Sequence, residues 1–457
     1  MKIHLLSGLN DPEVVAMLQA LYSRSHKSIT ERINPHEPLT ADKIKTLKNS
    51  LKKYYIGYNH DSIGNCGWIT LFIEQVSLLA AKAIENHPLF NGQESSTRYI
   101  NYDRKDGFLN PNENNIPGLL CFNRLMQTYR FVVMTLKKEL QNQYPKPEGM
   151  SDSQYTNAIL SSSVDLARGY LPAGTKTQLS WTGHIQAIRE HCKELLNHPL
   201  DEVKQLALQI LTKCNTNYPS AFPDSDLSQQ DDSIKQYRQL KHLKERTLGY
   251  NLTAIEKQEV RVYFDRFGLS YLELFVNELK QQPKHEKLPS YLELLGPITA
   301  RFYLDFGSFR DLQRHRKANI PIPEFRINTG MNAYYPMTIA SLLTTPEDFD
   351  TFCYLNLEVD QCVNKMAAVL DNNSAQYFYP LGWDVPVVCT ASLAQWAYML
   401  ELRTSKSVHA TLRTVMQKIA KEIERVLEIN LRYDNTASQP IWFPRGLQTI
   451  TKAKECS

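Results

Sequence analysis

Apolar and polar positions follow two rhythms along this chain, and those rhythms recur in the same order in both halves. A short apolar run passes straight into an amphipathic helix in WITLFIEQVSLLAAKAI and again in ITARFYLDFGSFRDLQ. The first is followed by Asn86-His87-Pro88, the second by Arg314-His315-Arg316. A second pairing sets YLPAGTKTQLSWTGHIQAIREH (170–191) beside FYPLGWDVPVVCTASLAQWAYM (378–399). Here Pro172, Gly174 and Thr182 are matched by Pro380, Gly382 and Thr390 at a constant spacing. Identities are few, so order and spacing carry the inference of an internal duplication. Strands are expected near 68–74, 97–103, 177–183, 297–304 and 385–391, with helices dominating elsewhere. The long segments 119–143 and 407–428 place apolar residues at helical spacing and read as core-facing surfaces.

Around 218–245, Pro, Ser, Asp and Gln replace the helical pattern LDEVKQLALQILTKC, which reads as a linker entering a polar helix. The expected domains are therefore 1–220 and 246–457, joined by 221–245, and a chain of 457 residues suits two separate cores. The fold class is α+β.

Composition narrows the chemistry. A hydrophobic share of 42%, with 5 Trp, 24 Tyr and 17 Phe, predicts a chain that folds. A net charge of +4 on 52 basic and 48 acidic residues does not suit a nucleic-acid polymer, although local basic pockets for small anions remain open. The eight cysteines include no Cys-x-x-Cys pair, which predicts reduced thiols in a cytoplasm rather than a disulfide framework or a metal site. The opening MKIHLLSGLNDPEVV turns polar too early for a secretory signal, and the apolar run Ile69 to Ile84 is broken by Glu74, Gln75 and Lys82, so no membrane span is expected.

Two clusters carry candidate chemistry. In NGQESSTRY (91–99), Ser96 offers a hydroxyl and Arg98 a planar fork of donors, a combination suited to a phosphate or to the imide edge of a pyrimidine. Glu94 suits a ribose hydroxyl or an arginine. Composition alone also allows a loop stapled by a Glu–Arg pair. Arg314, His315 and Arg316 place three cations in one turn at an expected helix end, where the helix dipole favours cations whatever their role. An anionic ligand between them would relieve their repulsion.

Together these pieces resemble the signature of the flavin-dependent thymidylate synthases, in which Arg-His-Arg is followed closely by Glu-x-Ser-x-Arg-Tyr. Here the signature is split. The first half keeps Glu94, Ser96, Arg98 and Tyr99 but has Asn86-His87-Pro88 in the arginine position, so His87 alone survives there. The second half keeps Arg314, His315 and Arg316 but lacks the substrate loop. Arg168 in LARGYLP and Arg403 in LELRTS match arginines that the family uses for dUMP, and Gln376 stands at the second copy of the Arg168 position. The resemblance implies two tandem repeats, each a twisted, mostly antiparallel sheet flanked by helices. It also implies composite sites and a homodimer imitating the family's tetramer.

The implied reaction is transfer of a one-carbon unit from methylenetetrahydrofolate to C5 of dUMP, with FAD and NADPH. Arg314, Arg403 and Ser96 are the implied catalytic residues. Glu94, Ser96, Arg98, Tyr99, Arg168, Arg314 and Arg403 are implied for substrate, and His60, Ser62, His87, Gln93, His315, Arg316 and His409 for cofactor, with no metal. The family's flavin-holding Asn and Arg are replaced by His184 and Gln186, and by Ser392 and Ala394. The alternatives are a pyrimidine nucleotide hydroxymethylase on the same scaffold and a non-catalytic nucleotide-binding protein.

Overall fold

The computed structural model describes residues 10–24, 39–58, 60–103, 107–111, 115–226, 231–251, 256–264, 293 and 295–448. Residues 1–9 of the opening segment, residues 227–230 of the expected linker and Cys456 lie outside that set. Among the described residues, helices and two small sheets alternate, as an α+β chain requires. The strands are β1 (Trp68–Ser77), β2 (Asn91–Glu94), β3 (Lys176–His184), β4 (Val260–Phe264), β5 (Pro297–Asp305) and β6 (Asp384–Ser392). The helices used below are α1 (Leu78–Glu85), α2 (Ile116–Gln143), α3 (Asp152–Ala167), α4 (Ile185–Leu195), α5 (Asp232–Asn251), α6 (Phe306–Leu312), α7 (Pro346–Val369), α8 (Leu393–Arg403) and α9 (Ala410–Leu427). Among the described residues, no helix is long and apolar enough to cross a membrane.

The chain divides into two compact units. One comprises Met1–Gln75, Ala83–Glu94 and Gln178–Leu243, the other Val76–Lys82, Ser95–Thr177 and Lys244–Ser457. The first carries the sheet β1-β3-β2, in which β2 runs antiparallel to β3 with Asn91 opposite Thr182. Thr70 and Thr182 share a hydroxyl hydrogen bond of 3.0 Å across that sheet. Near the end of β1, Gln75 adopts φ 60, a left-handed conformation that interrupts the inward–outward alternation just before the strand gives way to α1.

The second unit carries the antiparallel sheet β4-β5-β6, where Thr299 sits opposite Thr390 and their hydroxyls are 2.8 Å apart. A single bridge joins Asn319 to Thr390, in the place that β2 holds beside Thr182. The strand-to-helix junctions agree too. Ser77 accepts a bond from the Ala80 amide to cap α1, and Asp305 accepts one from the Ser308 amide to cap α6. His184 caps α4 and Ser392 caps α8, each through the amide three residues on.

Within the second unit, two matching stretches pair directly. Pro172 and Pro380 form an antiparallel bridge, flanked by four backbone bonds: Ala173 N to Tyr379 O (2.8 Å), Gly174 N to Tyr377 O (2.7 Å), Leu381 N to Leu171 O (2.8 Å) and Gly382 N to Gly169 O (2.8 Å). Under the residue pairing that matches Pro172 with Pro380, the first two bonds exchange with the last two. The main helical core of this unit packs α2 against α3 and α7, burying Leu125, Tyr129, Leu136 and Leu140 beside Val359, Val363 and Met366. Each such aliphatic side chain contributes about 2 kcal/mol through removal from water.

Two sequence expectations are corrected. The strand expected at 97–103 is a turn and coil, and the strand lies earlier, at Asn91–Glu94. Ser96 explains the turn, because its hydroxyl accepts from the Arg98 amide at 3.2 Å and competes with ladder formation. The helix expected to close on Arg314-His315-Arg316 ends at Leu312, and the tripeptide continues as tight turns with Leu312 O accepting from the His315 amide.

Candidate active site

All the arginines that the sequence singles out lie in the second unit. Asp305 starts α6 by capping it, and the helix turns Arg310 and Asp311 towards the loop at 95–100. Arg310 Nη1 donates to the Thr97 hydroxyl at 2.9 Å, so the helix preceding Arg314-His315-Arg316 touches the loop at 95–100. Thr97 and Arg310 are both buried.

That loop is held from a second side. Arg98 grips Asp165 at the end of α3 with both prongs, Nε to Oδ1 at 2.8 Å and Nη2 to Oδ2 at 3.0 Å, and also donates to the Ser407 carbonyl at 3.1 Å. Asp165 takes a further bond from Arg445 Nη1 at 2.7 Å. Burial alone would raise the Asp165 carboxyl, but the guanidiniums of Arg98, Arg445 and Arg168 outweigh it and hold it well below the usual carboxylate range. Asp311 behaves alike: burial opposes ionisation, and Arg98, Arg168, Arg403 and Arg314 overcome it.

Arg168 is only 1% exposed. It donates to the Ser308 hydroxyl at 2.9 Å and stands 3.7 Å from Asp165 and 3.6 Å from Asp311, with its Nε lacking a hydrogen-bond partner. It braces both carboxylates from behind the loop. Arg403, half-buried at the end of α8, donates from Nε to His315 Nε2 at 2.7 Å. Burial and then the cations of Arg403, Arg316 and Arg314 push the His315 imidazole down to about 3. It is therefore neutral and accepts the arginine's hydrogen bond at that nitrogen. Arg314 is exposed and Arg316 half-buried, with Arg316 Nη1 folded onto the Arg314 carbonyl.

His409 is buried as the cap of α9, with Nδ1 at 2.8 Å from Thr411 Oγ1 and 3.3 Å from Ser308 Oγ, and its ring is stacked on Tyr335. Burial and then Arg168 lower its pKa well below the ordinary value, so it too is neutral. Its Nε2 has no hydrogen-bond partner. Tyr99 lies under the Arg445 guanidinium, 5.9 Å from carbon to ring centroid.

The remaining candidates lie in the first unit. His60 stacks on Tyr54, Ser62 is exposed, and His87 Nδ1 accepts from the Leu89 amide with its ring 4.9 Å from His191. Gln93 stands opposite Ser180 in the β2–β3 pair, and Glu94 is half-buried at the end of β2.

In the second half, the residue at the spacing of Arg98 is Arg326, and it is spent internally. It pairs with Glu324 at 3.0 Å and lies 4.1 Å over the Tyr250 ring, while Glu324 also meets Arg246. Gln376, at the Arg168 position, bonds both backbone groups of Phe325. Sequence reasoning missed Arg310, Asp165, Asp311 and Arg445. Arg310 and Asp311 stand beside the marked tripeptide, whereas Asp165 and Arg445 have no local signal.

Residues 4–220 match the family model described as thymidylate synthase complementing protein, a little under half of the chain. The first half of the chain is similar to this family. Relatives along most of its length are similar but distant. A UPF0159 protein of Thermoplasma acidophilum is 23% identical over 84% of this chain and 87% of its own. UPF0159 proteins of Chlamydia muridarum (27%; 83% and 79%) and Chlamydia pneumoniae (24%; 80% and 76%) align similarly. The chain thus carries its family match on one half and most of its candidate arginine cluster on the other, with the two meeting at Thr97 and Arg310.

Proposed function

We propose that this protein methylates dUMP at C5 to give dTMP, using methylenetetrahydrofolate, FAD and NADPH. The site joins the substrate loop of one repeat (1–220) to the arginine cluster of the other (246–457), with 221–245 between them. The observation that carries the reading is the Arg310–Thr97 bond, which supports a meeting of the loop at 95–100 with the segment leading into Arg314-His315-Arg316. The matched junctions of the two sheets and the exchangeable bonds around Pro172 and Pro380 support the two-repeat reading.

In this mechanism Arg98 and Ser96 bind the phosphate at the loop, and Arg168 keeps Asp165 and Asp311 in place behind Arg98. Glu94 and Tyr99 orient the sugar and ring. Arg403, aimed by the neutral His315, and Arg314 stabilise negative charge developing on the pyrimidine. When bound, the flavin supplies the hydride that takes the transferred carbon to a methyl group. The half-buried guanidinium of Arg316 suits its diphosphate, and the unpartnered His409 Nε2 is a buried position that a ligand group could complete. His315, whose Nε2 accepts from Arg403, is a further candidate for the cofactor through the rest of its ring. His60, Ser62, His87 and Gln93 are the first-unit candidates for the same cofactor, and the active form is a homodimer.

Mass spectrometry of the nucleotide after incubation with dUMP, methylenetetrahydrofolate, FAD and NADPH tests the proposal. A dTMP mass supports it. One observation favours a second reading, hydroxymethylation: His184 and Ser392, standing where the family holds flavin, are both spent as helix caps. A hydroxymethyl product would establish that instead, and unchanged dUMP would sink both.

A further inference from the structure

The C-terminal stretch reaches back into the arginine cluster. Ile441 is buried, Phe443 stacks on Tyr155 with centroids 6.2 Å apart, and Gly446 lies so close to α3 that an added Cβ would stand 2.1 Å from the Gln154 carbonyl oxygen. These contacts seat the stretch along α3 and deliver Arg445 to the far end of that helix. There its Nη1 meets Asp165 Oδ2 at 2.7 Å, and its guanidinium covers Tyr99. Arg445 is buried and lies outside the family-matched segment.

Charge gives this contact its meaning. Arg98 and Arg168 face Asp165 and Asp311, with Arg403 and Arg314 also acting on Asp311. Arg445 adds a further buried cation on Asp165 in a setting with little solvent to screen it. It also shares Asp165 with Arg98, so Arg98 is not left facing an undivided carboxylate and can turn part of its fork towards an incoming anion. We infer that Arg445 is a positioning residue that selects phosphomonoesters over uncharged nucleosides, by adding a buried cation to the Arg98–Asp165–Arg168 cluster. The inference rests on the proposed nucleotide site.

The test measures binding of dUMP, deoxyuridine and inorganic phosphate to the full chain by calorimetry, for wild type, Arg445→Gln and Arg445→Lys. The Gln variant should bind dUMP and phosphate about tenfold more weakly, with deoxyuridine affinity unchanged, and the Lys variant should recover most of the loss. Equal dUMP affinity in wild type and Arg445→Gln would overturn the inference while leaving the dUMP reading intact. Equal weakening of dUMP and deoxyuridine would also overturn it, because that marks a structural role. Arg445-dependent phosphate binding without dUMP binding would keep the inference and reject the dUMP reading, and a wild type that binds none of the three rejects both. If Arg445→Gln fails to fold, Phe443→Ala loosens the same stretch and should show the same selective loss of dUMP and phosphate, unequal losses supporting the inference and equal ones refuting it.

Discussion

Replacing Asp165 with Asn removes one charge and keeps the shape, which makes it the sharpest probe of the arginine cluster. The carboxylate accepts three short bonds, from Arg98 Nε, Arg98 Nη2 and Arg445 Nη1, and has Arg168 at 3.7 Å. Its side chain is 9% exposed. An amide in its place can accept at one oxygen only, and its NH2 group must face a guanidinium. Removing one partner from a buried ion pair costs about 3–5 kcal/mol, and the upper half of that range fits a carboxylate that serves three bonds. Acid reveals the same energy with a definite sign. A carboxyl held below its unfolded pKa stabilises the fold fully above the unfolded value of about 4 and loses that contribution as pH falls through the folded value. The gap in melting temperature between wild type and Asp165→Asn should therefore be large at pH 7 and shrink below about pH 4. Thermal unfolding followed by circular dichroism at both pH values is the assay. Inorganic phosphate should restore part of the lost stability at pH 7 by standing in for the missing charge. A variant that melts within about 1 °C of wild type at pH 7, with no response to phosphate, would show that the cluster is not an electrostatic unit.

Other expected outcomes follow from the same contacts. Arg310→Ala breaks the bond to Thr97 and should lower kcat/KM about tenfold or more, read by steady-state kinetics at subsaturating dUMP. Arg98→Ala should chiefly weaken dUMP binding, whereas Arg314→Ala should lower kcat, and identical losses confined to affinity in both would contradict the assigned roles. Burial and neighbouring cations hold the His315 imidazole at about 3, so its contribution to stability is complete above about pH 6.5 and falls by roughly 2 kcal/mol between pH 6.5 and 5. Denaturant titrations of wild type and His315→Gln should differ by that slope. Arg326→Ala, at the counterpart position bound by Glu324 and Tyr250, should lower stability and leave dUMP affinity untouched.

What the sequence revealed depended on whether the relevant interaction is local. The helix expected at 119–143 is present as Ile116–Gln143, and the strand expected at 297–304 is Pro297–Asp305, because apolar periodicity reports each element's own buried face. The turn at 96–100 was hidden, since β-branched and aromatic residues there suggest a strand while the Ser96 hydroxyl dictates otherwise. Strand β4 was missed as well. It is a short run, Val260–Phe264, and only its pairing with β5 reveals it. The arginines at 98, 168, 314 and 403 were legible as candidates through their residue types and family-like spacing. Their counterions were not, because Asp165 and Arg445 are separated by 280 positions and no periodicity links them.

On the proposed two-repeat reading, the four bonds around Pro172 and Pro380 have an evolutionary consequence. A contact whose two sides are interchangeable can be made equally well by two copies of one gene product or by two segments of a fused one. Fusion frees each side to change without imposing the same change on the other. Arg168 and Gln376 sit just upstream of that contact in matching positions, one bracing a cluster of charges and the other tied to the Phe325 backbone. In a strictly symmetrical pair, one residue type would have had to serve both tasks. Joining the copies lets one lineage keep its chemistry while its twin becomes scaffold.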